Sequence, residues 1–158
     1  MIEKDYKQDI MAKATGRSLP ISTKQSIAIC QFIRRKNVQK MKTFLEDVMN
    51  MKRAVPFTKF TNGLGHKPGI GPGRYPITAA AEILGLLKSA ESNAQLKGLN
   101  TANLIIGMAK ANEASKAWHY GRQRRRKMRR SNIDLILIEQ QAEKPKKKDK
   151  VKEVAQQK

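Results

Sequence analysis

Apolar residues recur at helical spacing in three stretches of the chain, which predicts three helices. The first should begin at Ser22, because Ser22 and Gln25 have the spacing of a capping box. The second should follow Asn37, a suitable N-cap, and the third should extend from a cap at Thr78 to about Lys97. The side chains expected to pack inward are Ile27, Cys30, Ile33, Val38, Met41, Leu45, Val48, Met49, Ile83, Leu84, Leu87, Ala90 and Ala94.

Two apolar, β-branched segments predict strands, from Leu104 to about Ala109 and from Ile133 to Glu139. Residues 116–130 lie between them and hold nine basic positions, counting His119, and no acid. Two strands joined by a long basic excursion predict an extended hairpin over residues 103–140, with its tip at residues 117–127. Residues 12–19, which Pro20 follows and interrupts, are a further candidate strand.

Residues 53–76 break the periodic pattern with five glycines and several prolines. So long a loop is usually functional or disordered, and its basic residues suggest that phosphates order it. The spacing does not suit a nucleotide site, since no Gly-Lys-Ser/Thr follows a strand and the Gly63-Leu-Gly-His-Lys-Pro68 run ends on proline. Residues 141–158 are rich in Lys, Gln and Glu and predict a disordered basic tail, which leaves residues 1–140 as one domain.

Charge narrows the class of partner. The chain has 33 Lys and Arg against 13 Asp and Glu, a formal net charge of +20, so a polyanion is the expected partner. No apolar run approaches the ~20 residues that span a bilayer, and the polar, acidic first residues do not resemble a signal peptide. Cys30 is the only cysteine, which excludes an internal disulfide and a cysteine-based zinc site and favours a reducing intracellular compartment.

The basic excursion carries the strongest chemical signal. Trp118, His119 and Tyr120 stand directly before a dense arginine cluster, so rings that stack on unpaired bases adjoin guanidinium groups that bind phosphate. The alternatives are a solvated charge run, a nuclear localisation signal, or a DNA-associated architectural protein of the chromatin type. An RNA-modifying enzyme is disfavoured, because His66 and His119 lack a nearby carboxylate or thiol. Metal-ligand spacing is also absent, so we expect no enzyme and no cofactor.

Several short motifs occur in a distinctive order. They are Val55-Pro-Phe57, Gly63-x-Gly65, Gly73-Arg-Tyr-Pro76, the block 90–99, and Tyr120-Gly-Arg122 before the last strand. Together they resemble the universal ribosomal protein twenty-two family of the large subunit, in its archaeal and eukaryotic cytosolic branch. The resemblance covers roughly Arg17 to Glu139.

The resemblance implies an α+β fold, with three helices packed on a small antiparallel three-stranded sheet and a long protruding β-hairpin. It also implies a structural constituent of the large subunit in the cytoplasm. Such a protein would bind several domains of the large-subunit rRNA, contact neighbouring ribosomal proteins and support assembly. Its hairpin would line the exit tunnel beside the nascent polypeptide, with no role at a membrane.

When the family's functional positions are matched to this sequence one by one, the resemblance implies which residues form the site. The hairpin stretch between Lys116 and Tyr120 is shorter here than in eukaryotic members, Arg35 replaces a usual glycine, and Ile27 replaces a usual basic residue. The tip at the tunnel would comprise Trp118, His119, Tyr120, Gly121 and Arg122. The rRNA-binding residues would be Arg17, Lys24, Arg34, Arg35, Lys59, His66, Lys67, Arg74, Tyr75, Lys116, Arg122, Arg124, Arg125, Arg126, Lys127, Arg129 and Arg130.

Overall fold

The computed structural model describes residues 10–140, and its main sheet is built from the three longest strands. In chain order the elements are β1 (Met11–Leu19), α1 (Thr23–Ile33), α2 (Val38–Met49), β2 (Val55–Pro56), β3 (His66–Lys67), β4 (Gly71–Arg74), α3 (Ile77–Leu96), β5 (Leu104–Glu113) and β6 (Ser131–Glu139). Strand β6 is central, with β1 and β5 antiparallel on either side of it. The predicted α+β fold, with three helices on an antiparallel three-stranded sheet, is confirmed.

The three helices cover this sheet and supply its core. Helix α3 packs against β1, β6 and α2, while α1 packs against β5. Most of the apolar residues predicted to face inward are buried, and Ile33, Leu45, Ile83 and Leu87 are fully buried. Ile27 and Met49 are only half-buried. Cys30 is also buried, and loss of hydration raises the pKa of its thiol to about 12 despite the opposing charge of Arg34.

Of the three predicted helix starts, those of α1 and α2 match the structure and that of α3 differs. The Asn37 side chain caps α2 as expected, accepting from two backbone N–H groups of the first turn. Ser22 occupies the N-cap position of α1, but its side chain makes no capping hydrogen bond, so the predicted capping box is wrong. Helix α3 begins before Thr78, because the Pro76 carbonyl already accepts from the N–H of Ala80 at 2.9 Å.

Helix α3 ends in a left-handed cap at Gly98. Gly98 has a φ of +74°, which a residue with a Cβ adopts at a cost. Its N–H donates to the Gln95 carbonyl at 2.9 Å, and the N–H of Leu99 donates to the Ala94 carbonyl at 3.0 Å. This is the hydrogen-bond pattern of a Schellman motif, and Leu99 buries its side chain beneath it.

The glycine-rich segment is ordered by protein contacts, which the sequence did not predict. Strand β4 pairs antiparallel with β2 and with β3 to form a second, very small sheet. The N–H of Phe57 also donates to the Pro72 carbonyl at 3.0 Å. The strands β2 and β3 are only two residues long, so the sequence contains no alternating pattern that would predict them. The predicted tail, residues 141–158, lies outside the described residues.

Candidate nucleic-acid interface

The hairpin arms stay paired beyond the regular ladder of β5 and β6. Trp118 and Lys127 form an isolated antiparallel bridge, and the N–H of His119 donates to the Arg126 carbonyl at 2.8 Å. The chain reverses just beyond these residues. The predicted extended hairpin is therefore confirmed, and its basic residues are held on a paired scaffold.

A short 3₁₀ turn, Gly121–Gln123, closes the hairpin. Gly121 has a φ of +63°, as a sharp turn requires, and its carbonyl accepts from the N–H of Arg124 at 3.2 Å. Of the five predicted tip residues, Gly121 and Arg122 lie in the turn and Tyr120 directly precedes it. Trp118 and His119 lie lower, on the first arm, while Arg124 belongs to the turn rather than to the returning arm.

Six cations around the turn and on the returning arm are exposed: Arg122, Arg124, Arg125, Arg126, Lys127 and Arg129. None of them has an acidic partner among residues 10–140. The acid of the first arm, Glu113, pairs with Lys116. A hydrogen bond from Lys116, followed by its charge, holds the pKa of the Glu113 carboxyl below its usual value. The end of the hairpin is therefore a concentrated positive surface.

Two aromatic rings accompany these cations. The side chains of Trp118 and Tyr120 are 58% and 87% exposed, although large rings are normally well covered in folded proteins. The Nζ atom of Lys127 lies 4.8 Å from the centroid of the Trp118 ring, within cation–π range. This contact orients the indole on the arm and leaves much of its surface open to solvent.

Predicted residues from distant parts of the chain meet at the base of the hairpin. Lys24, Arg74 and Arg129 line a cleft of about 470 Å³. Lys24 and Arg129 also line an adjoining cleft of about 440 Å³, together with Lys116. Phe60 borders both clefts and was not predicted, although an aromatic residue next to Lys59 in a glycine-rich basic loop was the available signal.

Other cations predicted to bind RNA make hydrogen bonds or ion pairs within the protein. The Arg34 guanidinium donates to the Ala109 carbonyl at 2.8 Å, and that of Arg130 donates to the Ser18 carbonyl at 2.8 Å. Arg17 lies 3.9 Å from Asp134, a buried carboxylate of the central strand. Arg34 and Lys59 line a further cleft of about 350 Å³ between α1 and β5.

The remaining predicted residues of the body lie in two places. His66 and Lys67 form β3, followed by Arg74 at the end of β4, and the Nζ of Lys67 lies 5.2 Å from the Tyr75 ring centroid. Arg35 occupies the turn between α1 and α2 with a φ of +63°. This left-handed conformation explains why glycine suits the position, and the Arg35 N–H donates to the Ile106 carbonyl at 2.8 Å.

Two polar residues on α3, Glu91 and Asn93, serve contacts within the protein. The Nδ2 group of Asn93 donates to the Lys13 carbonyl at 3.0 Å, which ties α3 to β1. The Glu91 carboxylate accepts from the Gln39 amide at 2.6 Å and pairs with Lys42, which ties α3 to α2. These contacts favour a structural role over RNA binding for this block.

Within residues 10–140 no group of three or more His, Cys, Asp and Glu side chains could hold a metal ion. The same residues contain no helix that is both long and apolar enough to cross a membrane. What the described surface does offer is cations on a projecting hairpin and in clefts at its base.

The sequence model of the family described as Ribosomal protein L22p/L17e matches residues 14–138. The chain belongs to this family. The match begins within β1 and ends within β6, so the three helices, most of the main sheet and the tip of the hairpin fall within it. Family membership confirms the resemblance seen in the ordered motifs. It also confirms the prediction that the chain is a structural protein and not an enzyme.

Individual relatives agree with this assignment, and each bears the name "Large ribosomal subunit protein uL22". The protein of Thermoplasma acidophilum is 39% identical over 116 residues, which are 72% of this chain and 77% of the relative. That of Methanoculleus marisnigri is 35% identical over 137 residues, 82% and 90% of the two chains. That of Methanococcoides burtonii is 46% identical over 96 residues, 60% and 64% of the two chains. These archaeal relatives confirm the predicted branch.

Proposed function

We propose that this chain is a structural component of the large ribosomal subunit in the cytoplasm, where it binds rRNA and neighbouring ribosomal proteins. The relatives' shared name supports this role. In this proposal residues 1–140 act as one rRNA-binding domain. The domain contacts several segments of the large-subunit RNA and stabilises their arrangement during assembly.

The observation that carries the proposal is the exposed cation cluster at the end of the hairpin. Its guanidinium groups have no carboxylate partners among the described residues, so their hydrogen-bonding capacity is available to phosphate oxygens. The mutual repulsion of so many cations disfavours this surface in isolation, and a polyanion removes that repulsion. Because the arms are paired, the cluster can enter a space between RNA helices without unfolding.

The predicted cations of the body complete the interface. Lys24, Lys116 and Arg129 surround the base of the hairpin, and Arg34 and Lys59 line a separate cleft. His66, Lys67 and Tyr75 extend the surface along the small sheet. Cations at separate places on one domain can bind different RNA segments at once, and this is how a small protein would support assembly.

The finer part of the proposal concerns the tip. We infer that the turn, with Tyr120, Gly121 and Arg122, reaches the wall of the polypeptide exit tunnel, with Trp118 and His119 just behind it. The support is the membership of the family and the exposure of Tyr120 and Arg122 at the closed end of the hairpin. A nascent chain passing the wall would then meet one ring and one guanidinium group.

Photo-crosslinking tests both parts of the proposal. A photoreactive residue replaces either Arg122 or Lys88, an exposed residue of α3, in ribosomes that carry this chain and a stalled, labelled nascent chain. We expect a crosslink to the nascent chain from position 122 and none from position 88. Crosslinks from position 122 to rRNA alone would refute the tunnel placement but keep the ribosomal role. Absence of the chain from ribosomes would refute both.

A further inference from the structure

Phe60 is an exposed aromatic residue in an unfavourable backbone conformation. Its φ is +60°, in the left-handed region that side chains with a Cβ rarely adopt, and 44% of its surface is exposed. Burial of the ring therefore does not account for the strain. Such strained residues concentrate at binding sites, where the surrounding structure holds them in place for a ligand.

The ring stands between the two clefts at the base of the hairpin. Both clefts are lined by Phe60, Ser22, Lys24 and Arg129, which come from three separate parts of the chain. The Nζ of Lys24 lies 5.5 Å from the centroid of the Phe60 ring. The two clefts have volumes of about 440 and 470 Å³, which fall within the range of small-ligand sites, about 300–1,000 Å³.

The charge around Phe60 is strongly positive. Lys24, Lys116 and Arg129 line the first cleft with a single acid, Glu113, whose carboxylate is paired with Lys116. The second cleft adds Arg74 and no acid. Its wall also carries the polar side chains of Gln25, Thr61 and Asn62.

An aromatic face flanked by cations fits a ligand that combines a flat ring with negative charge. We propose that a single unpaired nucleotide of the bound RNA enters here, with its base stacked on Phe60 and the two phosphates that flank it in the RNA chain on Lys24, Arg74 and Arg129. A base within a double helix could not reach the ring, whereas an unpaired base can turn out of the helix and stack. This inference rests on the proposed function, that the chain binds RNA.

The test compares two RNA probes with the full-length chain. One is a short duplex with a single bulged 2-aminopurine, whose fluorescence falls when it stacks, and the other is the same duplex without the bulge. Stacking on aromatic side chains tolerates any base, so one bulged probe represents the class. We expect Phe60→Leu to weaken binding to the bulged RNA by about tenfold and to leave the paired RNA unchanged. Phe60→Tyr, which keeps the ring, should bind and quench like the native protein.

The control is Ile70→Ala, which trims an apolar side chain of the same glycine-rich segment with a similar exposure, 40%, outside both clefts. It should change neither affinity nor quenching. If the native protein bound both probes equally and without quenching, the nucleotide site would be refuted while RNA binding stood. Equal losses for both probes in Phe60→Leu would refute it in the same way. Failure of the native protein to bind either RNA would count against the proposed function itself. Should Phe60→Leu fail to fold, the nucleotide site stands only if the native chain and Phe60→Tyr both quench the fluorescence of the bulged probe.

Discussion

Replacing Arg124, Arg125 and Arg126 together with alanine removes half of the six exposed cations at the end of the hairpin. Each phosphate contact contributes about −0.7 to −0.9 to the log–log slope of affinity against salt. The six cations should therefore contribute about −4 to −5, and the variant should lose about 2 to 3 of this. Tripling the salt concentration should then weaken the hairpin contribution by about 100- to 400-fold in the native chain, but only about 10- to 20-fold in the variant.

The assay is a titration of large-subunit rRNA at a series of salt concentrations. Lys40→Ala, Lys52→Ala and Lys88→Ala combined form the matched control, because they remove the same charge from exposed positions outside the predicted sites. Cations of the body add the same increment to the salt slope of the native chain and of the hairpin variant, so the difference between the two slopes measures the contribution of the hairpin. The hairpin variant should keep the native circular dichroism, since none of its three side chains is buried. Equal slope changes in both triple variants would show that binding follows total charge alone, and not the position of the cations on the hairpin.

Three further predictions concern the stability and reactivity of the body. Gly107→Ala should destabilise the fold by about 1–3 kcal/mol in urea unfolding, because its Cβ would lie 2.7 Å from Cγ1 of Ile138. Gly85→Ala should stabilise the fold by about 0.5–1 kcal/mol, because Gly85 lies within α3 and a Cβ there meets no other atom. Equal changes in the free energy of unfolding for the two glycine variants would contradict the close packing around Gly107. Arg35→Gly should raise the free energy of unfolding by about 0.5–1 kcal/mol by relieving the left-handed φ of +63°, and a loss would show that the side chain supports the turn. Burial raises the pKa of the Cys30 thiol from 9.0 in the unfolded chain to about 12 in the folded one. The unfolded thiol therefore ionises first, so the contribution of Cys30 to the free energy of unfolding is full below pH 9.0 and is lost as the pH rises towards 12. The thiol should react with an alkylating reagent at pH 8 only after unfolding, and rapid reaction of the folded chain would contradict its burial.

The long elements of the fold follow from the sequence because their patterns repeat several times. Helix α2 shows its apolar face over three turns, and the run from Ile133 to Leu137 is buried throughout. The small sheet could not be predicted in this way, since β2 and β3 are two-residue ladders interrupted by proline and glycine. The start of α1 was predicted correctly with Ser22 as the N-cap residue, but the side-chain capping bond was not, because residue type alone does not fix where the Ser22 hydroxyl points.

The candidate site was predictable where the signal is continuous in sequence. The basic run with Trp118 and Tyr120 identified the hairpin, and the structure holds it on paired arms. Phe60 was missed because its significance depends on Lys24 and Arg129, which only the fold brings beside it. Charge alone also could not separate cations that are free at the surface from those such as Arg34, which hydrogen-bonds the Ala109 carbonyl.

Sedimentation tests whether this chain is a structural component of the large ribosomal subunit. The full-length chain, carrying a small tag, is produced in an archaeal host, and its lysate is separated on sucrose gradients in high-salt buffer. High salt releases a protein that is held by only a few phosphate contacts, whereas a protein that contacts several RNA segments and neighbouring proteins at once should remain bound. We predict that the chain sediments with the large subunit and stays with it in high salt. Migration as free protein, or sedimentation with DNA, would contradict the account.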